Sequence, residues 1–148
     1  MEAKDIMTPN PACCAPDARL TEVAKMLVEH DCGAIPVVDG AERRLVGVVT
    51  DRDIVCRAVA EGRNPADVSA RDVMSTPCVT VSLEASLDEV GEAMEKNQVR
   101  RILVVEEGGA CRGVIAQADV ALRGKEKKTG EILKEVSRPT PSASAVSA

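Results

Sequence analysis

The sequence predicts an α+β fold built from two β-α-β-β-α repeats that are related by a pseudo-twofold axis. Residues 5–8 (DIMT) recur 67 positions later as residues 72–75 (DVMS). Residues 47–53 (GVVTDRD) recur 66 positions later as 113–119 (GVIAQAD). A spacing that is constant to within one residue indicates an internal duplication. A unit of ~60 residues buries little core alone, so the two copies are expected to pack together around shared clefts.

The first repeat, predicted over residues 3–62, should contain three strands and two helices. Prolines exclude regular helix from its first twelve residues. Apolar residues at the helical spacing predict an amphipathic helix from Leu20 onward. The second helix is expected to begin at Thr50 and to stop at Gly62. The predicted elements are a strand over 12–15, a helix from 20 to about 30, strands over 34–38 and 45–49, and a helix from 50 to 62.

The second repeat is predicted over residues 71–124, after a linker over 63–70. It should begin with a strand over 78–81, followed by a helix that an S-x-x-E capping box opens at Ser86. The strands and the last helix then repeat those of the first half. Residues 125–137 can form a short amphipathic helix. The Ser-, Ala- and Pro-rich residues 138–148 are expected to be a disordered tail.

Composition excludes several classes of function. The net charge is −5, and the chain contains no Phe, Trp or Tyr. It therefore lacks both the basic patch and the stacking aromatics that are typical of nucleic-acid binders. No apolar run approaches the ~20 residues of a membrane span, and the N-terminus has no signal-peptide core. We expect a cytoplasmic protein that binds neither nucleic acid nor membrane.

The cysteines suggest packing rather than chemistry. Six are present, but none form a C-x-x-C pair, and His30 is the only histidine. That pattern is poor for a metal site and leaves little acid–base machinery for an enzyme. A packing role is favoured over metal binding or redox chemistry. The adjacent Cys13 and Cys14 are the exception, because neighbouring strand residues point to opposite faces and one of the two can be exposed.

Four segments resemble those of a tandem CBS-domain pair, or Bateman module: residues 5–8, 33–39 (GAIPVVD), 47–54 and 98–102 (QVRRI). The resemblance covers about residues 3–124 and is closest to the stand-alone bacterial members. It implies a regulatory module that requires no cofactor and is not an enzyme. Its ligand would be an adenine nucleotide or another adenosine compound (AMP, ADP, ATP, NAD or S-adenosylmethionine), bound between the repeats.

The resemblance also implies partners. CBS pairs dimerise through their helices, so a homodimer is expected, formed by the stretch 20–28 and the face of Ile54, Ala58 and Val59. A regulated protein, not identifiable from sequence, would read the bound state. The alternative is a structural or interaction module in which one or both nucleotide sites are vestigial.

Two ligand sites follow from the resemblance. In the family, the Asp of G-h-h-T-x-x-D binds the ribose, and a carboxylate can accept both ribose hydroxyls in charge-assisted hydrogen bonds. Arg100 and Arg101 lie where the family often places a phosphate-binding residue. The first site would join Thr50, Arg52 and Asp53 to Ser75, Val79, Thr80 and Val99. The second would join Asp119 to Thr8, Cys13 and Cys32.

The two sites depart from the family pattern in opposite ways. The first keeps Thr50 and Asp53 but has no arginine in its strand, whereas the second has Ala116 in place of the threonine. We expect the first to be the better site, because its motif is intact and Arg52 adds a charge. Thr50-x-x-Asp53 is alternatively a plain capping box, and the two arginines a solvated edge or partners of Glu106 and Glu107. Asp119 persists without a threonine partner, which argues against capping as its role.

Overall fold

The computed structural model describes residues 1–124. The helix predicted over 125–137 and the tail predicted over 138–148 lie outside these residues. In chain order the elements are α1 (Ala3–Ile6), β1 (Thr8–Pro9), α2 (Leu20–Glu29), β2 (Ala34–Asp39), β3 (Arg44–Thr50), α3 (Asp51–Ile54) with a π-helical turn over Val55–Val59, a 3-10 turn over Pro65–Asp67, α4 (Ala70–Val73), β4 (Thr80–Ser82), α5 (Leu87–Asn97), β5 (Arg101–Val105), β6 (Cys111–Ala116) and α6 over 117–124.

Matched strand pairings confirm the α+β fold and the two repeats. Strands β2 and β3 form an antiparallel hairpin, and β5 and β6 form its counterpart. Both hairpins carry a register shift at the same place, after Val37 in one and after Val104 in the other. Strand β4 runs parallel to β5. Its counterpart in the first repeat is reduced to a single parallel bridge between Cys14 and Val37.

The first segment of each repeat pairs with the last strand of the other. Strand β1 is antiparallel to β6, with Thr8 opposite Val114. In the same way Ser75 pairs with Val48 through two backbone hydrogen bonds of 2.8 and 3.2 Å. This exchange creates the pseudo-twofold relation. It also brings the start of each repeat to the strand-to-helix turn of the other, where the candidate clefts lie.

The exchange extends into the core, which consists of two clusters of buried aliphatic side chains. The first surrounds Leu20 and Ile35 and includes Val73 from the second repeat. The second surrounds Ile102 and Ile115 and includes Ala3 and Ile6 from the first repeat. Each cluster contains residues from both halves of the chain, so neither repeat by itself holds a complete core.

Three of the predicted elements were wrong in detail. Helix α1 forms ahead of the prolines. Glu2 N–H donates to the Asp5 carboxylate at 2.8 Å and caps its first turn, and Ala3 N–H donates to the carbonyl oxygen of Ala85 at 2.7 Å. The strand predicted over 12–15 is only the bridge at Cys14. The helix that begins after Thr50 continues as a π-helical turn rather than a regular α-helix. The capping box at Ser86 is confirmed, with Glu89 N–H donating to Ser86 Oγ at 3.1 Å.

The helix faces expected at a dimer interface are exposed only in part. Leu20 and Ala58 have no exposed surface and belong to the first core cluster, so neither can form part of an interface. Their neighbours Val28, Val55 and Val59 are 81%, 56% and 59% exposed.

Gly47 and Gly113 occupy equivalent positions in β3 and β6, and each is covered by a methionine from the opposite repeat. A Cβ atom on Gly47 would lie 2.9 Å from Cγ of Met74, and one on Gly113 would lie 2.8 Å from Cγ of Met7. These distances are too short for carbon atoms. Glycine is required here because the Asp-x-Met segment of one repeat packs directly on the strand of the other.

We therefore expect Gly47→Ala to lower the free energy of unfolding by about 1–3 kcal/mol, the usual cost of overpacking a core. Urea denaturation measures this change. The control is Gly91→Ala in α5, where the added methyl group would meet Val120 at 3.8 Å. This control should be neutral or stabilise the protein by up to about 1 kcal/mol, because alanine favours helix. Equal stability of the two variants would contradict the packing role of Met74.

Candidate functional site

A cavity of about 430 Å³ opens between the two repeats. Three segments form its walls: the stretch around β1, the end of α2 with the start of β2, and the turn from β6 into α6. Arg101 of β5 completes the site. The lining residues are Thr8, Asn10, Pro11, Ala12, His30, Asp31, Cys32, Gly33, Ala34, Arg101, Val114, Ala116 and Asp119. This cavity is the cleft that the sequence predicted around Asp119.

Asp119 is half-buried at the start of α6. Its Oδ2 accepts the Ala116 N–H at 3.0 Å, which caps the helix. The prediction that Asp119 does not serve as a cap was therefore wrong. Its carboxylate accepts the backbone N–H of Ala116 even though no threonine hydroxyl is present at that position. The other carboxylate oxygen has no hydrogen-bond partner among residues 1–124. One acceptor on a charged group thus remains available in the cavity.

Arg101 supplies a positive charge to the same cavity. Its guanidinium lies against the backbone of Gly33, where a Cβ atom would come within 2.7 Å of Cζ. Within the described part of the chain it forms no ion pair. The residue equivalent to Arg101 in the first repeat is Ala34, 67 positions earlier. Small residues in one repeat therefore make room for the arginine of the other.

Asp53 occupies the equivalent turn in the first repeat and accepts the equivalent backbone N–H, but the residues around it differ. Asp53 is only 8% exposed, and both of its carboxylate oxygens are engaged. Oδ2 accepts the Thr50 N–H and Oδ1 accepts the Ser75 hydroxyl, each at 3.0 Å. Thr50 completes the capping box by accepting the Asp53 N–H at 3.1 Å.

Arg57 makes further contacts at the Asp53 turn. Its Nη1 donates to the carbonyl oxygens of Val73 and Met74 at 2.8 and 2.9 Å, and it lies 3.8 Å from Asp53 Oδ1. The guanidinium thus ties the π-helical turn to the segment that enters from the other repeat. Thr50, Asp53 and Ser75 do not line the cavity of about 430 Å³ that contains Asp119.

The residues predicted for the second site are mostly brought together. Thr8, Cys32 and Asp119 all line the cavity, whereas Cys13 does not. The Cys13 thiol instead lies 3.2 Å from the carbonyl oxygen of Pro11 and 2.9 Å from Nη2 of Arg43. Arg101 joins this second site rather than the first.

The residues predicted for the first site are more dispersed. Thr50, Asp53 and Ser75 are in direct contact, and Arg52 and Thr80 are exposed. Val79 and Val99 pack against the second core cluster. Val99 and Arg100 also line a separate cavity of about 480 Å³, which is formed by second-repeat residues alone. Ligand binding by this set stays a prediction.

Sequence reasoning missed most of the cavity wall, notably Asn10, His30, Asp31 and Gly33. The only available signal was the repeat itself, because the counterparts of Arg100 and Arg101 in the first half are Gly33 and Ala34. The part of the chain that the structure describes contains no group of three or more His, Cys, Asp or Glu side chains placed to hold a metal ion. No helix in residues 1–124 is long and apolar enough to cross a membrane.

Comparisons with known proteins agree with this architecture. Hypoxic response protein 1 from Mycobacterium tuberculosis is 34% identical over 142 residues, or 96% of this chain and 98% of the relative. Its crystal structure, with two coordinated zinc ions, matches 82% of this chain and 98% of that chain with a TM-score of 0.75. CBSX2 in complex with AMP matches with a TM-score of 0.73 at 24% identity, covering 86% of this chain and 98% of that chain.

A third solved structure is the CBS domain pair of protein MJ0100 in complex with 5′-methylthioadenosine and S-adenosyl-L-methionine. It matches with a TM-score of 0.74 at 25% identity and covers 86% of this chain and 98% of that chain. The family model for the CBS domain matches twice, over residues 3–59 and 70–125. The chain therefore belongs to the CBS-domain family and carries two copies of the domain in tandem.

Proposed function

We propose that the protein is a regulatory module that binds an adenosine-containing ligand in the cleft that contains Asp119. The observation that supports this most is the difference between the two equivalent carboxylates. Among residues 1–124, one oxygen of Asp119 has no hydrogen-bond partner and the residue lines a cavity of about 430 Å³, whereas both oxygens of Asp53 are engaged. That volume lies within the range of about 300–1,000 Å³ that is usual for small-molecule sites.

The chemistry of the cleft suits each part of an adenine nucleotide. The free oxygen of Asp119 can accept hydrogen bonds from the ribose hydroxyls. Arg101, on the strand that pairs with β6 in the same repeat, suits an anionic phosphate. The aliphatic wall of Ala12, Ala34 and Val114 can contact the base, since the chain has no aromatic residue to stack on it. The arginine favours AMP, ADP or ATP over an adenosine compound without phosphate.

Two of the structurally similar proteins support the adenosine class. CBSX2 was crystallised with AMP, and the pair of MJ0100 with 5′-methylthioadenosine and S-adenosyl-L-methionine. The adenosine moiety is common to all three ligands. We extend this class, rather than any one ligand, to the present chain.

The first predicted site, built on Thr50, Arg52 and Asp53, is proposed as the weaker of the two. A ribose that binds Asp53 would have to displace the Ser75 hydroxyl and move Arg57 away. Loss of hydrogen bonds to a charged group costs about 1.5–3 kcal/mol each. The engaged carboxylate of Asp53 also supports the alternative for the first site, in which it no longer binds nucleotide and only stabilises the fold.

A homodimer is the assembly that we propose to transmit the bound state. The exposed Val28, Val55 and Val59 support a contact through the helices, and twofold dimers are the commonest closed assembly. A ligand in the cleft would bias the relative position of the two repeats, which a partner protein can read.

Ligand screening of the whole chain tests the proposed function. Thermal denaturation is followed with AMP, ADP, ATP, NAD and S-adenosylmethionine, each over a range of concentrations. A specific ligand at one hundred times its dissociation constant should stabilise the folded state by about 2.7 kcal/mol. Guanosine monophosphate serves as the control for general anion binding. Absence of a shift with every adenosine compound would favour the structural alternative.

A further inference from the structure

A groove runs between α5 and α6 of the second repeat. Two adjoining cavities of about 480 and 300 Å³ form it, and Gly91, Glu95 and Val120 line both. The larger cavity extends to Arg100, just before β5, and the smaller one extends to Gly124, the last residue of α6. Neither shares a lining residue with the proposed nucleotide cleft. This α5–α6 groove is therefore a surface that nucleotide binding does not use.

The floor of the groove is apolar. Val99 and Val120 pack against the second core cluster but are only partly buried. At Gly91 the helix contributes no side chain, and a Cβ atom there would lie 3.8 Å from Cγ1 of Val120, in ordinary van der Waals contact. The floor is thus an edge of the core that the described residues leave partly exposed. Further apolar side chains would be stabilised by packing on it.

The rim of the groove on α5 is acidic. Asp88, Glu92 and Glu95 follow the i, i+4, i+7 spacing and therefore share one face of the helix. All three are exposed, and none forms an ion pair within residues 1–124. The equivalent positions of α2 in the first repeat are occupied by Thr21, Lys25 and Val28. The common fold therefore does not require acidic residues here.

We propose that residues 125–137 of the same chain dock in the α5–α6 groove. Ile132, Leu133 and Val136 would contact the apolar floor, and the lysines of the segment would face the acidic rim. The sequence predicts a short amphipathic helix over these residues, which lie outside the described part of the chain. This docking is independent of nucleotide binding.

The composition of the segment complements the groove in both charge and polarity. Residues 125–128 contain three lysines and one glutamate, against three acidic residues on the rim. The predicted helix places Ile132, Leu133 and Val136 on one face. An isolated helix shorter than about 12–15 residues is marginal in water, so this helix needs a surface on which its apolar face can pack. Charge then selects the acidic α5–α6 groove as that surface.

The segment also begins at the groove, because Gly124 lines it. Helix α5 contains 11 residues and is about 16 Å long at ~1.5 Å per residue. The eight residues from Gly124 to Ile132 can span up to about 26 Å when extended. Gly130 lies between them and can adopt the backbone conformations of a tight turn. Ile132 can therefore reach any point along α5. The docked segment would pack on α6, the helix whose first turn carries Asp119.

Hydrogen–deuterium exchange of the whole chain tests the docking. The backbone amides of residues 131–136 should exchange about tenfold or more slowly than those of a synthetic peptide of residues 125–138. Leu133→Asp should return these amides to the exchange rate of the peptide, because it places a charge on the apolar face. Leu133 belongs to neither core cluster, so the amides of β2 and β5 should keep their protection.

Methyl NMR of the same variant shows whether the groove is the surface involved. The methyl resonances of Val120 should shift between the wild type and Leu133→Asp. Those of Val23, which is fully buried in the first core cluster, should not shift.

Reversing the charge of the rim tests the electrostatic part. The double variant Glu92→Lys, Glu95→Lys should lower the protection of residues 131–136. Glu107→Lys is the control, because Glu107 is an exposed acidic residue that does not line the groove, and it should leave the protection unchanged.

Three results would overturn the docking of this segment. The first is exchange of residues 131–136 at the rate of the peptide in the wild type. The second is protection of these residues without any shift of the Val120 resonances in Leu133→Asp, which would place the contact on another surface. The third is protection that is lost on about hundredfold dilution of the protein, which would assign the groove to the segment of a second copy.

Discussion

Replacing Asp119 by asparagine is expected to weaken adenine nucleotide binding about ten- to a hundredfold, and to leave the fold intact. Asparagine keeps an oxygen that can accept the Ala116 N–H, which Asp119 Oδ2 accepts at 3.0 Å. It loses the charge that strengthens the bonds to the ribose hydroxyls. Hydrogen bonds to charged groups are worth about 1.5–3 kcal/mol against about 0.5–1.5 for neutral ones, and each 1.4 kcal/mol is roughly a factor of ten.

Isothermal titration calorimetry of the whole chain measures this loss. The matched control is Asp53→Asn at the equivalent turn, which should change the affinity much less, because that carboxylate is already engaged by Thr50 and Ser75. If instead Asp53→Asn abolishes binding and Asp119→Asn does not, the ligand occupies the first site and our choice between the clefts is wrong.

The role of Arg101 is separable from that of Asp119. Substituting glutamine should weaken AMP binding severalfold and leave adenosine binding unchanged, because the guanidinium is expected to contact only the phosphate. If AMP and adenosine lose affinity equally, the arginine acts on the shape of the cleft through its contact with Gly33.

Asp53→Ala is expected to lower the free energy of unfolding by about 2–4 kcal/mol, through loss of two hydrogen bonds to a charged group and of the capping box. The variant leaves the Thr50 N–H and the Ser75 hydroxyl without their acceptor. It also removes the carboxylate 3.8 Å from Arg57. Because Ser75 belongs to the segment that crosses between repeats, the loss weakens the contact between the two halves.

Urea denaturation measures the effect of Asp53→Ala, with Asp51→Ala as the control. Asp51 is the exposed neighbour, and its carboxylate accepts only the adjacent Arg52 N–H among the described residues. This control should change stability by less than about 0.5 kcal/mol, as is usual for a surface position. A stable Asp53→Ala variant that fails to bind nucleotide would instead restore the ribose-binding role predicted for Asp53.

Local patterns predicted those parts of the fold that depend on nearby residues. The amphipathic helices from Leu20 and Leu87 and the capping box at Ser86 could be predicted, because each follows from spacing within a few residues. The two repeats could be predicted because similar segments recur 66 or 67 positions apart. The short helix at Ala3 could not, since backbone hydrogen bonds to the Leu83 and Ala85 carbonyl oxygens hold it in place. Those partners lie eighty residues away in the chain.

The sequence by itself determined that this protein is a duplicated CBS pair with an acidic residue at the start of each final helix, because repeats and motifs are properties of the chain alone. Only the tertiary structure decided which of the two acidic residues is available. Ser75 reaches Asp53 and occupies its second oxygen, whereas no hydroxyl among residues 1–124, including that of the counterpart Thr8, donates to Asp119.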